Sequence, residues 1–257
     1  MLGAIIAATD PVAVVALLKE LGASKKLATM IEGESLFNDG TAMVLFLILL
    51  SLVEGEDLSF GDMIVKFIRL SLGGPVLGVC FGLLVDLFLQ RIHNNYVLEV
   101  NLTIVAAYLC WYIAENTGLH VSGILAIVFL GIWMSYKGKT SISPHSEHAL
   151  HHVWGYVGFV AETLIFMLAG IILGMKNRAY TDDRRIDSHR LDSLYVFCNY
   201  LWAHVIRFSL ICLFWPILNR LGYGMNFRQV LLSSYAGLRG AVGLALALIV
   251  DASTKVD

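Results

Sequence analysis

Eight apolar segments follow one another along the chain, separated by short polar connections. An α-helix needs about 20 mostly apolar residues to cross the ~30 Å hydrocarbon core of a bilayer. The pattern therefore predicts an all-α, polytopic membrane protein. The predicted segments run approximately over residues 1–18, 30–53, 63–89, 96–114, 121–136, 152–174, 194–219 and 229–251.

The first and the last of these segments carry residues that interrupt helices. Asp10-Pro11 lies inside the first segment, and proline removes a backbone donor and biases the preceding residue away from the helix. We expect an unwound middle there, whose polar backbone needs partners other than lipid. The last segment has Gly237, Gly240 and Gly243 around its arginine. Paired interrupted segments point to a midplane binding site in an inverted-repeat transporter, whereas glycines at such spacing also serve close helix packing.

Basic residues in the connections predict an orientation, because Lys and Arg concentrate in cytoplasmic loops. The second and fourth connections hold none, which places the first connection in the cytoplasm. The sixth, at about 175–193, mixes both charges and is expected to be a solvated, flexible external loop. The basic residues of the odd-numbered connections are Lys19, Lys25, Lys26, Arg91, Lys137, Lys139, Arg220 and Arg228.

The composition excludes a soluble globular protein. Of the 257 residues, 58% are hydrophobic and only 15% are charged, where a soluble domain carries about 25% charged residues. The mean hydropathy is +0.74. A net charge of -2 also argues against a nucleic-acid partner, whose binding depends on many Lys and Arg contacts to phosphate. The expected partner of most of the surface is therefore the lipid bilayer.

Several of the few charges fall inside the apolar segments. A charge at the centre of a membrane helix costs about 2.5–3.5 kcal/mol on insertion scales, so each such residue is a functional hypothesis. Acids outnumber arginines, which predicts one or more ion pairs and at least one unpaired carboxylate. The residues are Asp10, Glu34, Asp39, Glu162, Arg207 and Arg239.

The second segment concentrates polar residues on one stripe. Glu34 and Asn38 are four residues apart, and so are Ser35 and Asp39, so all four project along the same side of a helix. Carboxylate, hydroxyl and amide oxygens are hard ligands that suit a small cation. The alternative is a polar seam that joins helices, although such seams normally use Ser, Thr, Asn or Gln without bare acids.

Signatures of enzymes and of cofactor sites are absent from the sequence. HExxH, GxSxG, Walker A and GxGxxG do not occur, so the chain is not expected to be an enzyme or to hold a cofactor. A histidine cluster could bind a metal or respond to pH, but solvated cytoplasmic side chains are the simpler interpretation. The cluster consists of His145, His148, His151 and His152.

Five motifs resemble the monovalent cation:proton antiporter family, the sodium/proton exchangers. They are ATDPVAV at 8–14, EGESLFNDG at 32–40, AETLIF at 161–166, the embedded Arg207 and GLRGAV at 237–242. They extend over nearly the whole chain. The run KELGASKKLATMIEGESLFNDGTA looks closest to the branch that contains plant salt-tolerance and sperm-type exchangers.

The resemblance implies a fold of thirteen membrane helices in two inverted repeats, with a moving core domain against a dimerisation domain. The eight segments look like the fifth to the twelfth helix, so residues 1–257 are expected to be a partial exchanger transmembrane domain. About four helices before it and one after it, with a cytoplasmic tail, would complete the family pattern. The resemblance also implies a homodimer, with the plasma membrane as the expected location.

The resemblance assigns roles to the buried polar residues. It implies that Asp39 alternately holds the cation, sodium or another monovalent ion, and the proton. Asn38 sits where electrogenic relatives have a second Asp, which implies electroneutral exchange. Thr9, Asp10 and Ser35 would line the site. An ion pair of Glu34 with Arg207 would steady the core, while Glu162 and Arg239 match motif positions with supporting, structural or pH-setting roles.

The function expected from these observations is exchange of sodium, or another monovalent cation, for protons by competition at Asp39. A cation channel is one alternative, since channels also use buried acids. A non-transporting partner of a full-length exchanger is the other.

Overall fold

The computed structural model describes residues 1–22, 24–55, 59–92, 95–182, 186–220 and 226–252. Within these ranges every regular element is helical. The α-helices are α1 Leu2–Ala7, α2 Val12–Glu20, α3 Lys25–Val53, α4 Phe60–Leu89, α5 Tyr96–Asn116, α6 Gly123–Tyr136, α7 Pro144–Asp182, α8 Ile186–Leu218, α9 Phe227–Tyr235 and α10 Ala241–Ala252, and a 3-10 helix covers Gly138–Thr140.

The described helices confirm a polytopic membrane protein. Six of the eight predicted segments contain helices that are long and apolar enough to cross a membrane, counting α1 and α2 together. The fifth segment forms the shorter, 14-residue α6, and the last is divided between α9 and α10. The first segment is also divided, at Asp10-Pro11, and the last is divided at Gly237 and Gly240, whereas Gly243 lies within α10.

The predicted loop at 175–193 is wrong over most of its length. Helix α7 continues to Asp182 and α8 begins at Ile186, while residues 183–185 lie outside the described residues. The prediction followed hydropathy, which reports where a chain leaves lipid. A helix satisfies its own backbone hydrogen bonds in water as well as in lipid, so charged residues need not end it.

The chain divides into two compact units. Of the described residues, we call Gly40–Ile165, with Met1 and 251–252, the central unit, and Leu2–Asp39 with Phe166–Val250 the split unit. In the central unit, α4 packs closely on α6 because glycines face it. A Cβ at Gly74 would lie 2.7 Å from the Ser122 carbonyl oxygen, and one at Gly82 would lie 2.5 Å from the Trp133 ring. Gly78 meets the backbone at Ala126.

Two acids that the sequence analysis did not single out are almost fully buried in the central unit. Asp86 on α4 is 3% exposed and Glu99 on α5 is 1% exposed. Ser141 Oγ donates to Asp86 Oδ1 at 2.5 Å, and Ser143 donates to Glu99 through its amide, at 3.1 Å, and through its hydroxyl. These two acids therefore hold the segment between α6 and α7 against α4 and α5 by hydrogen bonds.

The split unit has its own apolar core, formed where α2, α3 and α9 meet. Buried side chains of α2 pack against the first turns of α3 and against the residue that follows α9, while Leu232 and Leu238 pack at the edge. This core holds both breaks beside the polar stripe of α3. Its buried members are Val14, Val15, Leu18, Leu27, Ala28, Ile31 and Ala236.

Candidate ion-binding site

The candidate site lies in the split unit, where the two helix breaks meet. Helix α1 ends at Ala7 and α2 begins at Val12, while α9 ends at Tyr235 and α10 begins at Ala241. The Asp10 amide donates to the Leu238 carbonyl at 2.7 Å. One break thus supplies a backbone partner that the other needs in lipid.

The residues of the first break contact the polar stripe of α3. The Thr9 amide donates to Asp39 Oδ1 at 3.2 Å. Ser35 Oγ donates to the Thr9 carbonyl, and the Thr9 and Ser35 hydroxyl oxygens lie 3.3 Å apart. Asn38 Nδ2 reaches Thr9 Oγ1 at 3.4 Å. The structure therefore brings four of the predicted site residues together around the unwound backbone.

Burial differs within this group. Thr9 and Ser35 are 4% and 5% exposed, whereas Asn38 and Asp39 are of intermediate exposure. The buried hydroxyls therefore hold the break against α3, while the amide and the carboxylate remain accessible.

Asp10 lies two residues before the start of α2. Its Oδ1 accepts the Val12 amide at 3.0 Å, so the carboxylate satisfies an otherwise unpaired donor at the helix N-terminus. A negative charge is favourable there because the helix dipole is positive at that end. Asp10 thus contributes its amide to the contact between the two breaks and its side chain to the N-terminus of α2.

The predicted ion pair of Glu34 with Arg207 is present. Arg207 Nη2 lies 2.8 Å from Glu34 Oε1, with side-chain exposures of 14% and 36%. The same guanidinium donates from Nε and Nη2 to the Ser233 carbonyl at 3.2 and 3.1 Å. Glu34 Oε1 also accepts from Asn38 Nδ2 at 3.4 Å. The pair therefore joins α8, the last turn of α9 and the stripe of α3.

Arg239 and Glu162 are placed differently. Arg239 belongs to the second break, and its Nη1 donates to the Ala8 carbonyl at 3.4 Å, just past the end of α1. Its side chain is otherwise exposed. Glu162 belongs to the central unit, where its side chain is exposed on α7. It is not one of the residues that the split unit gathers around Asp39.

Sequence reasoning missed the backbone acceptors of the site. The Ala8, Ser233 and Leu238 carbonyls each take a hydrogen bond at or beside a break. Two of them hold arginines, which suits the negative ends of helices. A signal was available, since a helix that ends inside the membrane leaves carbonyls that need donors.

A cavity of about 510 Å³ opens beside these residues within the split unit. Its polar lining includes Glu34, Asn38, Arg207 and Arg239, and α1 and α8 supply apolar walls. Among the described residues, no group of three or more His, Cys, Asp or Glu is arranged to hold a metal ion. This finding covers the other histidines of the cluster, whereas the His145 side chain lies outside the part of the chain that the structure describes.

Known proteins resemble the chain over almost its entire length. The sequence profile of the family described as "Sodium/hydrogen exchanger, transmembrane" matches residues 1–256. Sodium/hydrogen exchanger 7 of Arabidopsis thaliana is 38% identical over 254 residues, covering 99% of this chain and 22% of that protein. The low-affinity Na(+)/H(+) antiporter NhaS1 of Synechocystis is 34% identical, covering 96% and 46%.

A mammalian relative shows the same pattern. Sodium/hydrogen exchanger 3 of Mus musculus is 33% identical over 260 residues, covering 98% of this chain and 30% of that protein. The chain thus spans less than half the length of each of these three relatives. The profile match and the motifs around Asp39 agree, and the chain belongs to the sodium/hydrogen exchanger family.

Proposed function

We propose that the chain contains the ion-exchange site of a transporter that moves sodium, or another monovalent cation, against protons. The observation that carries the proposal is the contact of the Asp39 carboxylate with the unwound backbone at Thr9, 3.2 Å away. A carboxylate at a helix break can bind either a proton or a cation, but not both at once. Opened alternately to the two faces of the membrane, such a site couples the two fluxes and needs no cofactor.

The ligands that we propose for the cation are oxygens around Asp39. Ser35 and Thr9 supply hydroxyls, the break supplies backbone carbonyls, and Asn38 supplies an amide oxygen. Hard oxygen ligands suit a small cation. Asp10 organises the break through α2 and the Leu238 carbonyl. The cavity of about 510 Å³ that reaches Asn38 and Glu34 supports access from the aqueous phase.

We further propose that one cation is exchanged for one proton. Asn38 cannot ionise, so Asp39 is the one acid of the Asn-Asp pair. Glu34 is engaged by Arg207 at 2.8 Å, and this neutralises its charge. With either a proton or a monovalent cation bound, the Asp39 site carries the same charge. On the family resemblance alone, we also propose that the transporter is a homodimer in the plasma membrane.

Replacing the carboxylate tests the proposal. Asp39→Asn keeps the size of the side chain but cannot release a proton, so exchange should fall to the background of empty vesicles. The measurement is sodium-driven proton flux, followed with a pH-sensitive dye in vesicles that contain the 257-residue chain.

Glu32→Gln is the matched control, because Glu32 lies on the same helix and its pair with Lys19 at 3.3 Å is exposed. Such surface pairs contribute about 0–1 kcal/mol, so the control should retain exchange. Substantial sodium-driven proton flux in Asp39→Asn would contradict the proposal. Sodium flux without stoichiometric proton movement in the unaltered chain would favour a channel.

A further inference from the structure

One glycine of the second break lies directly against Asp10. A Cβ built at Gly240 would lie 2.5 Å from Asp10 Oδ2 and 2.7 Å from its Cγ, and it would also overlap the Asp10 Cβ. Real Cβ atoms essentially never approach other heavy atoms this closely. A side chain at position 240 therefore requires that Asp10 or the backbone at Gly240 shift.

Asp10 cannot relieve this overlap by rotating its side chain alone. Its Cβ is set by the backbone, and the backbone amide is bound to the Leu238 carbonyl at 2.7 Å. Its Oδ1 is bound to the Val12 amide at 3.0 Å. Removing the overlap by a shift of Asp10 would disturb its backbone contact with Leu238.

Movement of Asp10 would be transmitted to Thr9, its neighbour in the chain. The Thr9 amide donates to Asp39 Oδ1, and the Thr9 carbonyl accepts from Ser35. The backbone between residues 9 and 10 is thus held by α3 on one side and by the second break on the other. A shift of Asp10 would therefore alter the ligand geometry at Asp39.

We propose that Gly240 is a positioning residue for the exchange site, which acts through Asp10 and Thr9 to place the ligands of Asp39. The inference rests on the proposed function. Its chemistry is steric: the absent side chain permits the contact between the two breaks that sets the distance from Thr9 to the carboxylate. Gly240 itself offers no ligand group to the ion.

The test measures sodium affinity and transport rate separately. In vesicles with the 257-residue chain, Gly240→Ala should raise the half-saturating sodium concentration about tenfold, because overpacking displaces the ligand groups. The maximal rate should change less. Gly33→Ala on α3 is the matched control, since a Cβ there meets nothing within 4 Å, and it should keep the affinity of the unaltered chain within about twofold.

A second background separates positioning from a general loss of packing. In Asp10→Gly the overlapping Cβ and carboxylate are gone, so adding Gly240→Ala should change the sodium affinity by less than about twofold. If Asp10→Gly binds sodium too weakly to titrate, the sodium affinities of Gly240→Ala, Gly240→Ser and Gly240→Val test the positioning role instead. The half-saturating concentration should rise with side-chain volume.

Two results would overturn the inference: an unchanged sodium affinity in Gly240→Ala, or an equal loss in the Asp10→Gly background. Sodium-dependent thermal stabilisation of the purified chain reports binding without transport. If the unaltered chain binds sodium but exchanges no protons for it, exchange by this chain alone fails, and the thermal shift still decides whether Gly240 positions a sodium site.

Discussion

Arg207 links three parts of the split unit through a single guanidinium. It pairs with Glu34 at 2.8 Å and donates to the Ser233 carbonyl in the last turn of α9. Arginine suits this role because its planar donors engage two acceptors at once. Gly237 leaves room for it, since a Cβ there would lie 2.6 Å from Arg207 Cδ. The ion pair therefore depends on the second break as well as on α3.

Removing this guanidinium should destabilise the protein. Arg207→Ala leaves Glu34 without its cation and the Ser233 carbonyl without its donor. We expect a loss of about 2–3 kcal/mol in the free energy of unfolding, at or below the range for fully buried pairs because Glu34 is 36% exposed. Thermal unfolding in detergent, followed by tryptophan fluorescence, measures the change.

A double variant provides the control for Arg207. Arg207→Ala combined with Glu34→Gln removes both charges, and it should recover part of the lost stability because an uncompensated charge costs more than a missing pair. Melting behaviour equal to that of the unaltered chain in Arg207→Ala would show that the pair carries no stability.

At the scale of helices, the close contact of α4 with α6 is made by glycines one turn apart. Gly74, Gly78 and Gly82 recur every four residues, so they lie on one face of α4. Small residues let membrane helices approach closely, where lipid offers no hydrophobic driving force between them. The glycine face packs along α6, which is too short to be counted among the long spanning helices.

Filling the middle of this face should weaken the central unit. In Gly78→Ala the new Cβ would overlap the Ala126 carbonyl oxygen and lie 2.9 Å from the Leu130 amide. Both are backbone atoms that cannot rotate away, so we expect a loss of about 1–3 kcal/mol. Thermal unfolding midpoints of purified variants give the measurement.

Gly131→Ala on α6 is the matched control, because a Cβ there meets nothing within 4 Å. Alanine is the better helix former by about 1 kcal/mol, so this variant should melt at or above the temperature of the unaltered chain. An equal effect of both substitutions would refute the packing argument.

At the scale of the whole molecule, the proposed one-for-one exchange has an electrical consequence. Moving one net charge across 100 mV is worth about 2.3 kcal/mol, or roughly fiftyfold in an equilibrium ratio. An exchanger that moves no net charge should not respond. In vesicles with a potential of about 100 mV imposed by a potassium ionophore, the sodium ratio at which proton flux reverses should stay unchanged.

The same vesicles at zero potential are the control. A shift of the reversal ratio with the sign of the potential would contradict one-for-one exchange. It would leave the role of Asp39 intact, because an electrogenic exchanger also needs a carboxylate that binds the ion.

Much of the local structure follows from the sequence by itself. Asp10-Pro11 predicted the first break because proline lacks an amide donor, and the fourfold spacing of Glu34 with Asn38 and of Ser35 with Asp39 predicted one polar stripe. Both depend on neighbours along the chain. The prediction of a loop at 175–193 was wrong because charged residues indicate contact with water, and a helix can continue through water.

Tertiary structure alone decided which distant groups meet. No local pattern shows that the Asp10 amide binds the Leu238 carbonyl, that Arg207 reaches Ser233, or that Gly240 leaves space for Asp10. Likewise, nothing in the local sequence distinguishes Asp86 and Glu99 from other helix residues. The segment after α6 buries both acids through hydrogen bonds. Residue types and spacing determine what a helix can offer, whereas packing between helices far apart in the chain determines which groups it contacts.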